Sequence, residues 1–119
     1  MVIDAGHGGK DPGARGTSIN EKAFNLEVAL RLGSLISEKH DDVKVIYTRK
    51  TDVFIELDER ANIANRNKAD LFISIHTNAV KRGSSVSGTE TYTLGLARTD
   101  ENLEDAMRDY SAILLEDNY

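Results

Sequence analysis

The chain has 119 residues, enough for one domain of ordinary size and too few for two. Its 39% hydrophobic and 29% charged content is that of a soluble globular protein, and no apolar run nears the roughly 18 residues that cross a bilayer, which excludes a membrane span. A net charge of −5 with neither sign gathered into a block argues against nucleic acid as a partner, and the lack of cysteine leaves only histidine and carboxylate to hold any metal.

Val2 to Ala5 is a short apolar run that reads as a buried strand. Because the chain opens directly on it, no signal peptide is expected within this sequence. Gly6 to Asn20 follows with five glycines and the only proline, the composition of a long functional loop. From Glu21 to Lys39, Phe24, Val28, Leu32, Leu35 and Ile36 recur at helical spacing. His40-Asp41-Asp42 ends that helix, and His40 beside Lys39 is read as a structural residue near its C-terminus. Val43 to Tyr47 is strand-like, and Thr48 to Phe54 is a polar connection. A second helix is predicted over about 55–68, with Leu57, Ala61 and Ala64 on one face. Asp70 to His76 is nearly all apolar between its ends, as in a central strand covered on both faces. A Gly/Ser loop spans Asn78 to Gly88, a strand pattern Thr89 to Leu94, and a last helix runs from the N-cap Thr99 to about Leu115.

This order predicts an α/β fold with a mostly parallel central sheet and helices on both faces, in which the functional crevice lies beyond the carboxyl ends of the strands. His7 and His76 both sit at such ends, so parallel strands would bring the two imidazoles together. A single histidine at a strand end is more often a hydrogen-bonded structural residue, but two converging ones suit a metal. A hydrolytic zinc site adds a third protein ligand, and two histidines with one glutamate form an established set. Glu21, opening the helix after the His7 loop, is the candidate. Against it stands Ser18-Ile-Asn-Glu21, which spells a capping box, and pattern alone does not separate the two. Asp4 and Asp11 are competing acids, and Asp4 is placed to orient an imidazole from behind. The glycines flanking His7 are read as letting the chain turn sharply and leaving room for a substrate. The loop lacks the spacing of a nucleotide phosphate cradle.

Val2-Ile-Asp-Ala-Gly-His-Gly-Gly-Lys-Asp-Pro-Gly-Ala, Asn20-Glu-Lys-x-x-Asn25-Leu, Thr48-Arg49-x-x-Asp52, Leu57-x-x-Arg60-x-x-x-Ala64-Asn65 and Ala69-Asp-Leu-Phe-Ile-Ser-Ile-His-x-Asn78-Ala together resemble the type-3 family of zinc-dependent N-acetylmuramoyl-L-alanine amidases. The resemblance implies Zn2+ held by His7, Glu21 and His76. It also implies a peptidoglycan or muropeptide substrate, cut between N-acetylmuramic acid and L-alanine, and a parent protein in the periplasmic or extracellular cell envelope. Asn78 and Arg82, just past His76, are candidate substrate contacts. The family's second glutamate, in a strand resembling Val-x-Val-Glu-x-Gly-Phe-x-Ser-Asn, has no counterpart here. Glu116 is only a superficial mimic, so no catalytic acid is assigned, and the chain is expected to be a single domain, residues 1–119, that lacks its C-terminal part. Two rivals are a non-catalytic zinc-dependent module that binds cell-wall glycopeptide and an amide hydrolase acting on a different acyl-amino acid.

Overall fold

A computed structural model describes residues 1–77, 88–89, 91 and 111–116. Strand β1 (Val2–Ala5) leads through the glycine-rich loop to helix α1 (Glu21–Lys39). Strand β2 (Ile46–Tyr47), helix α2 (Leu57–Arg66) and strand β3 (Phe72–Ile75) follow. The three strands form one sheet in the order β2-β1-β3, and both pairings are parallel. Val2 lies opposite Ile46 and Phe72, and Ala5 lies opposite Ile75, so the carboxyl ends of β1 and β3 finish level with each other. Among the described residues no helix is long and apolar enough to cross a membrane.

β1 is the central strand, and all four of its residues are buried. Ile3 and Ala5 join Ala29 of α1 in the apolar core, with Leu26, Leu32, Ile36, Val45, Tyr47 and Ile75 packed around them. Asp4 points the other way and meets Arg60 of α2. The expected helices on opposite faces of a parallel sheet are therefore present.

Of the periodic apolar residues of α1, Leu32 and Ile36 pack against the core, but they do not form the centre of its contact with the sheet. The buried residues of the helix are Glu21, Asn25, Ala29 and Gly33, an i, i+4 seam of small and polar side chains, while Phe24 and Leu35 are exposed. The seam lets the helix lie close to the strands: a Cβ on Gly33 would collide with the Tyr47 ring. Large apolar residues flank this contact instead of forming it.

β2 is shorter than predicted, because its register opposite β1 begins only at the Val2–Ile46 pair. α2 is also shorter, with Glu56 as N-cap and Asn67 as C-cap, and its buried residues are Arg60 and Ile63, with Ala61 exposed. β3 is not covered on both faces among the described residues. It is the outer strand there, with Leu71 and Phe72 exposed. Ser111–Leu115 is a 3-10 turn, not the end of an α-helix. The predicted strand 89–94 and helix 99–115 otherwise fall largely outside the described residues, as do Asn78 and Arg82.

Candidate metal centre

His7 leaves the carboxyl end of β1 with φ 60, a left-handed conformation that costs a non-glycine residue free energy and that clusters at functional sites. His76 follows β3 directly, and its ring meets that of His7 edge to face with centroids 4.9 Å apart. Level strand ends produce this convergence. Two glycines of this loop make room for the clustered side chains: a Cβ on Gly6 would collide with the His76 imidazole. One on Gly13, where φ is 63, would come within 2.6 Å of His7 Cδ2 and 2.8 Å of Glu21 Oε2.

Glu21 completes the cluster, and the capping-box reading fails. The helix N-cap is Asn20, which makes no side-chain cap, and Glu21 is the first helical residue. Its buried carboxylate faces inward. Oε2 accepts the Ala14 backbone N–H at 2.8 Å, and Oε1 accepts that of Thr77 at 2.7 Å. Oε1 also lies 3.2 Å from His7 Nε2 and 3.3 Å from His76 Nδ1.

The orienting acid behind His7 is Asp11, not Asp4. His7 Nδ1–H donates to Asp11 Oδ2 at 2.7 Å, which fixes the tautomer and leaves Nε2 facing the cluster. Asp4 instead accepts bonds from Thr48 Oγ1, Ser74 Oγ and Arg60 Nη1. Burial disfavours an imidazolium at His7, but the Asp11 carboxylate on Nδ1 and the Glu21 carboxylate facing Nε2 outweigh it and raise the pKa to about 9. Burial would raise the Glu21 carboxyl. The two imidazoles and the Ala14 and Thr77 N–H groups override that and hold it well below the usual range. Asp11 is likewise held low, burial being outweighed by His7 and the Gly13 N–H.

These groups fit a cation. His7 Nε2 is buried and makes no hydrogen bond of good geometry among the described residues, its contact with Glu21 Oε1 at 3.2 Å being one of charge, and such a nitrogen is costly unless something else satisfies it. One ligand atom from each of His7, Glu21 and His76 can be chosen so that all three lie within 4.8 Å of one another. Bonds of about 2.0–2.1 Å to a tetrahedral metal put its ligand atoms about 3.3 Å apart, and the two contacts to Glu21 Oε1 are 3.2 and 3.3 Å. His7 and Glu21 are buried while His76 is exposed, so the cluster has one side open to solvent.

Two arginines whose roles the sequence did not reveal brace the loop. Arg60 Nη1 and Nη2 donate to the carbonyls of Ala5 and His7. Arg49 donates to those of Ala5, Gly6, Thr51 and Lys22. Lys22 and Asp52 pair at 2.6 Å and clasp Gly9 through its carbonyl and N–H. Four N–H groups of the loop that could have faced an anion are already engaged: Gly8 with the Asp11 carbonyl, Gly9 with Asp52, Gly13 with Asp11 and Ala14 with Glu21. His40 lies apart as the C-cap of α1, its N–H bonded to the Ile36 carbonyl. Glu116 Oε1 accepts the Leu57 N–H at 2.8 Å, so it caps α2 and is not one of the cluster.

The chain is 42% identical over 79 residues to the sporulation-specific N-acetylmuramoyl-L-alanine amidase of Bacillus subtilis strain 168, a match covering 66% of this chain and 31% of that protein. It is 47% identical over 90 residues to the endolysin of Bacillus phage SPP1, covering 76% of this chain and 32% of the endolysin. Among solved structures, the catalytic domain of CwlV, an N-acetylmuramoyl-L-alanine amidase from Bacillus (Paenibacillus) polymyxa var. colistinus, superposes with a TM-score of 0.65 at 45% identity, over 72% of this chain and 48% of that one. The chain thus spans about a third of the length of these two curated relatives. The sequence pattern of N-acetylmuramoyl-L-alanine amidases matches residues 1–117, and the chain belongs to that family.

Proposed function

We propose that this chain carries the zinc-binding part of an envelope enzyme that hydrolyses the amide between N-acetylmuramic acid and the L-alanine of peptidoglycan. The observation that carries the reading is that His7 Nε2 and His76 Nδ1 each lie a tetrahedral-edge distance from Glu21 Oε1, with ligand atoms of all three residues within 4.8 Å of one another. Family membership supplies the substrate class. Bound zinc in such a set lowers the pKa of its water to about 7 and polarises a carbonyl.

The chain's own residues have three tasks in this reading. His7, Glu21 and His76 hold the ion, and Asp11 keeps Nδ1 of His7 protonated so that Nε2 remains the donor atom. Arg49 and Arg60 fix the backbone of Ala5, Gly6 and His7, so that the strained ligand loop keeps its shape. Asn78 and Arg82, on the segment after His76, contact the glycopeptide. The leaving nitrogen of an amide must also receive a proton, commonly from a carboxylic acid. Glu21 is committed to the ligand cluster and Glu116 to the amino end of α2, so neither is assigned as the donor in this reading.

The test is product analysis with a defined muropeptide, using this chain and a version lengthened at its C-terminus to match the relatives. Release of the stem peptide with a free L-alanine amine, much faster in the lengthened protein, is the expected result. Cleavage at another bond contradicts the substrate assignment. Zinc-dependent binding without turnover in the lengthened protein would replace the enzyme with a binding module.

A further inference from the structure

Asn25 is completely buried, although a carboxamide without partners would be costly there. It stands one helical turn after Glu21 on the seam that α1 presses against the sheet. Its Nδ2 donates to the Gly6 carbonyl at 3.4 Å and to Glu21 Oε1 at 3.3 Å, and its Oδ1 accepts the Thr77 hydroxyl at 2.9 Å. Gly6 immediately precedes His7, and Thr77 immediately follows His76. One side chain therefore touches all three chain segments that carry the candidate ligands.

We infer that Asn25 is the positioning residue of the metal centre, a carboxamide clamp that sets the spacing of His7, Glu21 and His76. This rests on the zinc-binding reading above. Of the common side chains, the amide suits the place because it donates and accepts at once. A carboxylate would meet the Gly6 carbonyl and Glu21 with no proton to offer, and an aliphatic side chain would leave the Gly6 carbonyl and the Thr77 hydroxyl without this partner. The clamp also complements the two backbone bonds to Glu21. The Ala14 N–H takes Oε2 away from the imidazoles, and Asn25 with the Thr77 N–H holds Oε1 toward them.

The test uses cobalt(II) in place of zinc, because its visible spectrum reports coordination geometry without any need for turnover. Asn25→Leu keeps the branching and the number of heavy atoms, at somewhat greater bulk, and removes the clamp. Thr77→Val keeps the shape and removes only the hydroxyl bond, so it remains informative if the buried leucine prevents folding. Expected are an intense tetrahedral-type spectrum in the unaltered protein, metal affinity lower by about 10- to 100-fold in Asn25→Leu, and a loss of about fivefold in Thr77→Val, the worth of one neutral hydrogen bond. Both variants should show a shifted or weakened spectrum, and His40→Ala should match the unaltered protein. If folded variants bind cobalt with unchanged affinity and spectrum, the clamp is refuted while the metal site stands. If the unaltered protein binds no cobalt, both readings fall.

Discussion

His7 is pressed between two carboxylates, and this gives the metal-free and metal-loaded proteins opposite responses to pH. Without metal its pKa is raised to about 9 from an ordinary 6.5, so its stabilising charge is fully present below about 6.5 and lost as pH rises through 9. Glu21 is held low, so its contribution is present above the ordinary carboxylate range and lost on acidification. The metal-free protein is thus predicted to melt highest near pH 5 to 6 and to weaken toward pH 9. A metal must displace the proton from His7, so zinc affinity should rise over the same interval. Melting curves with chelator and with zinc at pH 5.5, 7.5 and 9 check both trends, and parallel pH dependence would contradict the ligand role of His7. Asp11→Asn removes the carboxylate from Nδ1 and should weaken zinc binding about 10- to 100-fold while the fold persists. Titration of zinc against a competing chelator measures this.

At the scale of elements, the position of a side chain within its helix decided what periodicity could not. Ser18-Ile-Asn-Glu21 has the letters of a capping box, but α1 begins one residue after Asn20. Glu21 thereby becomes the first helical residue, with its carboxylate free to enter the crevice. The spacing of Phe24, Val28, Leu32, Leu35 and Ile36 announced the helix and its full extent, and Leu32 and Ile36 do pack against the core, but it gave no sign of the seam of Glu21, Asn25, Ala29 and Gly33 at the centre of the contact. A helix lying close on a sheet is seamed by its smallest residues, and here the seam also delivers Glu21 and Asn25 to the site. Buried polar residues defeat an apolar-pattern reading in the same way on α2, where Arg60 occupies the inward position. It pairs with Asp4 at 2.9 Å and satisfies the Ala5, His7 and Ile55 carbonyls. Arg60→Met leaves Asp4 without its ion partner and the His7 and Ile55 carbonyls without this donor, while Arg49 still reaches the Ala5 carbonyl, a loss of about 3–5 kcal/mol for a buried pair broken on one side. Urea unfolding should show it. Gly6→Ala acts differently: its methyl group displaces the His76 ring, so zinc binding should fall by at least about tenfold while helix content by circular dichroism is kept.

For the molecule as a whole, alternating strand and helix patterns made the parallel sheet legible, and with it the meeting of two strand-end histidines. Strand order was not legible in the same way. The short Val2–Ala5 run proved central and the richer Phe72–Ile75 run lies outermost among the described residues, because apolar content reports burial only after neighbours are in place. The ligand set needed both pattern and family likeness at Glu21. Its supporting groups, Asp11, Asn25, Arg49 and Arg60, became identifiable only through their hydrogen bonds. The central claim is that one metal ion joins β1, α1 and β3 through His7, Glu21 and His76. Metal analysis after exhaustive dialysis against trace zinc tests it most directly. The account predicts about one zinc per chain in the unaltered protein and almost none in a His7→Ala, His76→Ala double variant shown by circular dichroism to be folded. Equal zinc in the two proteins would contradict it.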